Sequence, residues 1–183
     1  IAMKSLKEMQ ETALDATKPG TVNPVEMLRL EALTSFEKYT KLMFKCQYKR
    51  SFIVAEHQKK MFEVLQDVVD GKITRLIINI APRYSKSEVV IKSFISWAFA
   101  LNPRCRFLHL SYSDILVKDN SDTIRNIMSE ELYKTLFPNS ALASEKGSAK
   151  RWKTKAGGEL YAVSTQGQVT GFGAGNVDAD PEI

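Results

Sequence analysis

Cysteine and histidine are scarce in this sequence of 183 residues, which contains two of each. Cys46 and Cys105 lie far apart in apolar surroundings, so we expect reduced, buried thiols and no disulfide framework. A structural zinc site needs about four cysteine or histidine ligands, and His57 and His109 add too little to supply one. These shortages argue against a disulfide-stapled secreted domain and against a zinc-dependent module.

Long apolar runs are also missing. No stretch approaches the roughly 18 apolar residues that a membrane-spanning helix requires, and no secretory leader is visible. We therefore expect a soluble, cytoplasmic protein with no membrane partner. Lysine and arginine total 26 against 21 acidic residues, and this net charge of +5 permits contact with phosphate groups without proving it. With 44% hydrophobic residues the chain can bury one sizeable core.

The first 70 residues have helical periodicity. Asn23-Pro24 is a typical helix start, and Gly71 is a typical residue just beyond a helix end. Three helical stretches are predicted: residues 3–17, 24–46 with a break near Thr34, and 51–71, where Gly71 ends the helix.

After Gly71 the hydrophobic period changes. Residues 74–81 (TRLIINIA) and 105–112 (CRFLHLSY) are short apolar runs, typical of strands buried on both faces of a parallel sheet. Strands that alternate with helices predict an α/β fold with right-handed crossovers. The other expected elements are a helix over 86–101, one or two helices over 114–138, and a hairpin over 151–164. The expected sheet core consists of Leu76, Ile77, Ile78, Ile80, Phe107, Leu108 and Leu110.

Residues 81–87 (APRYSKS) lie where α/β sheets bind ligands, between a predicted strand and a predicted helix. Lys86 and Ser87 match the end of the phosphate loop G-x-x-x-x-G-K-[ST], but Ile80 and Ser85 replace its glycines. Serine can replace glycine wherever φ stays negative. The helix start favours phosphate, Lys86 would add charge, and the Ser87 hydroxyl would hold Mg²⁺. The alternative is that Lys86 only begins an exposed helix.

The stretch IAPRYSKSE resembles the phosphate loop of bacteriophage large terminase subunits, the ATPases that pump DNA into capsids. Further similar segments follow in the family's order: FLHLSYSDILVKDNSDTIRNIM, LYKTLFP and WKTKAGGELYAVSTQGQVTGFGAG. The resemblance covers roughly residues 50–175. It implies a P-loop NTPase-type, mostly parallel sheet flanked by helices over residues 51–183, after an N-terminal helical segment over residues 1–50.

The resemblance also implies roles for single residues. Gln58 corresponds to the adenine-recognition stretch, and its amide can both donate to and accept from adenine; an exposed helix-start position is the alternative. His57 is expected to be structural. Arg83 could stabilise the γ-phosphate as a cis-acting arginine, or serve an ordinary phosphate contact or salt bridge. The residues expected at the nucleotide are Gln58, Pro82, Arg83, Tyr84, Ser85, Lys86, Ser87 and Glu88, with Arg83 and Lys86 catalytic and Ser87 on Mg²⁺.

An ATPase of this kind needs a second motif, an apolar strand that ends in aspartate. After its glycine-rich stretch this sequence reads NVDADPEI, and no apolar run precedes Asp178 or Asp180, so a solvated tail is expected there. The sequence is therefore expected to be the front part of a terminase motor domain. It is expected to stop before the acidic (Walker B) strand and to lack the family's nuclease domain.

A basic cluster surrounds Trp152. Such a cluster can contact DNA phosphates without sequence preference, although a solvated surface is the alternative. Arg151 could instead serve the nucleotide of a neighbouring subunit in a ring. The candidate DNA-binding residues are Lys150, Arg151, Lys153 and Lys155, with Lys146 close by.

The resemblance implies an ATPase that powers translocation of double-stranded viral DNA into the procapsid. Its implied cofactors are ATP and Mg²⁺, and its implied partners are viral DNA, the portal protein, the small terminase subunit and further copies in a ring, in the host cell cytoplasm. A helicase-like P-loop ATPase is one alternative. Another is a nucleotide-binding or assembly module without turnover, which the lack of an acidic strand favours for this fragment.

Overall fold

The computed structural model describes residues 23–144, 148–165 and 173. It is a mixed α/β structure in which helices flank a small three-stranded sheet. The predicted helix over residues 3–17 lies outside the described part. The elements are α1 (Pro24–Thr34), α2 (Phe36–Tyr48), α3 (Glu56–Val69), a π-helix (Ser87–Ser93) continued by α4 (Phe94–Leu101), β1 (Arg106–Ser111), α5 (Asp114–Ser129), α6 (Glu131–Leu136), a 3₁₀ turn (Pro138–Ser140), β2 (Arg151–Lys153) and β3 (Glu159–Ser164).

Short polar side chains set the helix starts. The Asn23 side chain accepts a hydrogen bond from the Val25 N–H at 3.0 Å, as the sequence predicted for this cap. Ser35 has an extended backbone (φ −137°), and its hydroxyl accepts from the Lys38 N–H at 3.3 Å. The predicted break near Thr34 is therefore confirmed, and Ser35 both ends α1 and caps α2.

The sheet has the order β1-β3-β2. β1 and β3 are parallel, with Arg106 opposite Glu159 and Ser111 opposite Ser164. β2 and β3 form the predicted antiparallel hairpin, with Trp152 opposite Leu160. The sequence thus located the strand after α4 and the hairpin correctly.

The predicted strand over residues 74–81 is wrong, because the structure assigns no strand there. Ile77 is 86% exposed and Leu76 is 37% exposed. Leu76 and Ile78 line a cavity against α3 and the helix that follows the loop, whereas no described element covers Ile77. An extended run becomes a strand only when its backbone groups find a partner strand, and among the described residues this run has none. Leu110 of β1, which was also expected in the core, is 48% exposed.

The main core lies among the helices. Phe36 packs its ring 5.3 Å from Phe62 and 5.0 Å from Trp97, which joins α2, α3 and α4. The Tyr39 hydroxyl donates to the Ser96 hydroxyl at 2.8 Å, and burial raises the pKa of Tyr39. These contacts hold α4 rigidly, so the helix that follows the candidate loop is anchored at its far end.

The cysteines match their prediction in part. Both Cys46 and Cys105 are free thiols. Each is only partly buried, however: the Cys46 thiol lies 3.5 Å from the Glu130 carboxylate, and Cys105 directly precedes β1.

A buried carboxylate joins the three strands at one end of the sheet. Glu159 of β3 is 3% exposed and accepts hydrogen bonds from Arg106 of β1, at 3.1 Å, and from Arg151 of β2. Burial raises the pKa of Glu159, but the hydrogen bond and charge of Arg151, the hydrogen bond of Arg106 and the charge of Lys153 outweigh it and hold the pKa below its ordinary value. The ionised form therefore stabilises the fold.

Replacing Glu159 by glutamine is expected to lower the free energy of unfolding at pH 7 by about 1.5–3 kcal/mol, the range for hydrogen bonds to charged groups. A lowered folded pKa means that this contribution is present above the unfolded pKa and is lost as the pH falls through the folded value. Urea titrations of both proteins between pH 7 and pH 3 should show the difference shrinking below about pH 4.5. Glu63→Gln, at an exposed ion pair, is the control, and a similar loss there would contradict the prediction.

Candidate functional site

The structure brings most of the predicted nucleotide residues together in one surface loop. The loop precedes the π-helix, and Pro82, Arg83, Tyr84, Lys86 and Ser87 are exposed on it. This arrangement places a lysine, a hydroxyl and a helix N-terminus at one exposed position. Such a group of donors can bind an anion.

The loop backbone has a glycine-like conformation without glycine. Arg83 has φ +70° and Ser85 has φ +60°, both in the left-handed region. The condition for serine to replace glycine, a negative φ, is therefore not met at Ser85, since the turn before Lys86 has the left-handed geometry that glycine usually supplies. A left-handed side-chain-bearing residue costs roughly 1–2 kcal/mol, and such strain clusters at ligand-binding sites.

Replacing Ser85 by glycine is expected to raise the free energy of unfolding by about 0.5–1 kcal/mol. Relief of the left-handed strain gains roughly 1–2 kcal/mol, and the greater freedom of glycine in the unfolded chain offsets about 0.4–1 kcal/mol of it. Ser87→Gly is the matched control, because Ser87 is helical and glycine there should cost up to about 1 kcal/mol. Urea denaturation measures both, and destabilisation of the same size in the two variants would contradict the assignment.

The helix after the loop begins with a π-helical turn. Ser87–Ser93 is π-helical, and the Phe94 N–H bonds to the carbonyls of Val89 and Ile91 where the α-helical part begins. π-Helical turns are rare and occur frequently at functional sites. The sequence carries no signal for this turn, and it was predicted as ordinary α-helix.

Lys86 is available for a ligand. Among residues 23–144 and 148–165 it has no ion-pair partner. Its side chain borders a largely apolar cavity of about 430 Å³ between α3, residues 76–78 and the π-helix. The cavity is lined by Leu65, Val68, Leu76, Ile78, Lys86, Val90, Ile91 and Phe94.

Glu88 is already engaged by neighbouring side chains. Its carboxylate accepts a hydrogen bond from the Tyr48 hydroxyl at 3.4 Å and another from the Lys92 ammonium at 3.0 Å. Burial, followed by the charge of Glu88, raises the pKa of Tyr48. Glu88 thus ties the π-helix to α2. The i,i+4 spacing of Glu88 and Lys92 could have revealed that pair, whereas nothing in the sequence points to Tyr48.

Gln58, unlike the exposed loop residues, is buried. It is 5% exposed, and its side-chain oxygen accepts from the Ala55 N–H at 2.8 Å, which caps the start of α3. Next to it, the His57 ring meets the Tyr84 ring edge-on, with centroids 5.3 Å apart. The N-terminus of α3 therefore adjoins the loop through His57.

The basic hairpin residues fall into two pairs. Lys150 binds Asp114 at 3.0 Å, and Arg151 binds Glu159. Lys153 and Lys155 are exposed and have no ion-pair partner within the described ranges. They are the hairpin cations most accessible to a polyanion, and their contact with DNA stays a prediction.

The donor set fits a phosphate group better than it fits a metal ion. The Ser87 side chain is exposed, but the described residues contain no group of three or more histidine, cysteine or acidic side chains that could hold a metal. Asp178 and Asp180 lie outside the described residues. The arrangement can bind an anionic group through Lys86.

No helix in the described part is long and apolar enough to cross a membrane. No family model, curated protein or solved structure matches the chain.

Proposed function

We propose that this chain is the ATPase part of a viral large terminase, a P-loop enzyme that drives double-stranded DNA into a procapsid. The observation that carries the proposal is the loop backbone. Left-handed Arg83 and Ser85 form a glycine-type turn directly before Lys86 and a helix start. Glycine is the usual residue for left-handed backbone, and Ser85 adopts it in the place of the second glycine of the phosphate-loop pattern.

Each loop residue has a proposed task. The N–H groups at the helix start and the Lys86 ammonium bind the β- and γ-phosphates of ATP. Arg83, exposed on the same loop, stabilises the charge that develops on the γ-phosphate when water attacks in line. Mg²⁺, held by the Ser87 hydroxyl, would neutralise phosphate charge. Pro82 and Tyr84 shape the loop around these groups.

The further strands, the DNA contact and the partners of the proposed enzyme are inferred from the resemblance to large terminases. A complete P-loop sheet has more strands than the three described, and β1 has an edge that no described strand covers, so further strands can pair there. Lys153 and Lys155 would contact the DNA backbone. The portal protein, the small terminase subunit and further copies in a ring are proposed partners, in the host cell cytoplasm.

A second candidate function is a nucleotide-binding or assembly module without turnover. It is favoured by one observation, the lack of a metal-binding carboxylate group among the described residues. The two functions differ in hydrolysis and share the nucleotide site. A steady-state assay of phosphate release with Mg-ATP separates them once binding is established.

Binding is tested by titrating Mg-ATP into the chain by calorimetry. Lys86→Ala is expected to weaken binding by about 1.5–3 kcal/mol, the range for hydrogen bonds to charged groups. Its free energy of unfolding should stay within about 0.5 kcal/mol, because Lys86 is exposed and unpaired. Lys86→Arg should not restore binding, since a planar fork replaces a compact charge. Lys153→Ala, at another exposed lysine, should bind as the unmodified chain does. Equal binding by all four proteins would refute the phosphate loop.

A further inference from the structure

The side chain that would read adenine has a structural task. Gln58 is 5% exposed, and its oxygen accepts the Ala55 N–H at 2.8 Å at the start of α3. Adenine recognition needs one amide to offer both its acceptor and its donor to the base. To do so, Gln58 would have to move out of its buried position. The Ala55 N–H would then lose its hydrogen bond, which would destabilise the start of α3.

An exposed aromatic ring lies on the loop itself. Tyr84 is 51% exposed and stands two residues before Lys86. The His57 ring meets it edge-on at 5.3 Å, with an interplanar angle of 77°. Beside this edge-on contact, 51% of the Tyr84 surface stays open to solvent. His57 thus fixes the orientation of an aromatic surface close to the phosphate-binding lysine.

We propose that a nucleotide bound at this loop stacks its base on Tyr84, and that the site accepts nucleoside triphosphates of any base. This inference rests on the nucleotide site proposed above and adds its substrate class. Every base has an aromatic face, so stacking is tolerant of base identity. Strong discrimination requires buried polar groups that a wrong base leaves unpaired, and the side-chain oxygen of Gln58 already accepts the Ala55 N–H. His57 is a positioning residue that acts through the Tyr84 ring.

The test compares four probes on the same protein: Mg-ATP, Mg-GTP, Mg-CTP and magnesium tripolyphosphate, which has no base. The unmodified chain is expected to bind the three nucleotides within about threefold of one another, since stacking alone distinguishes them. Tyr84→Ala should weaken all three by roughly 5- to 30-fold and leave tripolyphosphate unchanged. Tyr84→Phe is the matched control and should bind like the unmodified chain. His57→Ala should give a smaller loss, again confined to the nucleotides.

Gln58→Ala distinguishes base stacking on Tyr84 from hydrogen bonding of the base to Gln58. It is expected to lower the melting temperature and to leave the ratio of ATP to GTP affinity unchanged. A preference for ATP above about tenfold that disappears in Gln58→Ala would overturn the inference, as would an equal loss of tripolyphosphate binding in Tyr84→Ala. If the unmodified chain binds neither nucleotide nor tripolyphosphate, the proposed function fails and this inference fails with it. If the unmodified chain binds tripolyphosphate and Lys86→Ala does not, the proposed phosphate site is supported. That conclusion is independent of how the chain discriminates among bases.

Discussion

Replacing Trp97 by alanine is expected to lower the free energy of unfolding by about 3–5 kcal/mol, the range for large aromatic side chains cut to alanine in a core. Trp97 has no exposed surface, and its ring lies 5.0 Å from that of Phe36. Its indole N–H donates to the Ala32 carbonyl at 2.9 Å, which ties α4 to α1. Urea denaturation followed by far-ultraviolet circular dichroism measures the loss without relying on tryptophan emission.

Trp97→Phe is the matched variant. It refills much of the space but removes the N–H donor, so we expect a smaller loss of about 1–2 kcal/mol. A loss below about 1 kcal/mol in Trp97→Ala would mean that the helical core is assembled differently from the structure described here.

The second large effect is expected at Gly158, where alanine should cost about 3 kcal/mol or more. A Cβ atom there would overlap the carbonyl oxygen of Pro103 and lie 2.8 Å from that of Cys105. The backbones must then separate, which strains the bond from the Glu159 N–H to Cys105 at 2.9 Å. Forced overpacking of this kind costs typically 1–3 kcal/mol, and loss of backbone pairing adds to it.

The neighbouring glycine provides the control for Gly158→Ala. Gly157 has φ +97°, but no atom lies within 4 Å of the place where its Cβ would be. Gly157→Ala should therefore lower the free energy of unfolding only by the strain of a left-handed alanine, about 1–2 kcal/mol. Thermal denaturation of the two variants side by side measures the difference. Equal losses would show that the close approach to Pro103 and Cys105 is not what requires glycine at position 158.

Local signals sufficed for the helices and the hairpin. Asn23 and Ser35 lie in helix caps because their side chains can accept a nearby N–H, and that information is contained in three or four consecutive residues. The turn at Gly157 was likewise visible in the sequence, since a positive φ there favours glycine.

Residues 74–81 could not be assigned in this way. A continuous apolar run is equally consistent with a strand buried on both faces and with a segment that packs on one face only. Leu76 and Ile78 contact a helical layer, while Ile77 is exposed. Whether a second layer or a partner strand exists depends on distant parts of the chain, and no property of these eight residues reports it.

The candidate loop was located from the sequence, but its conformation was not. The pair Lys86-Ser87 and its place before a helix were sufficient to find it. The left-handed φ values of Arg83 and Ser85 were missed because serine and arginine rarely adopt them. The bond from Tyr48 to Glu88 joins residues 40 apart in sequence, and their proximity arises only in the folded chain.

The parallel pairing of β1 with β3 also governs the order in which the sheet can assemble. Arg106 and Glu159 are 53 residues apart in sequence, whereas Arg151 and Glu159 are separated by only 8. Closing the longer loop costs more chain entropy, so the β2–β3 hairpin can form early, before β1 docks. Docking becomes favourable once α5 and α6 have folded and shortened the connection between the strands. In refolding from urea, helical circular dichroism should therefore return before the amides shared by β1 and β3 become protected from hydrogen exchange.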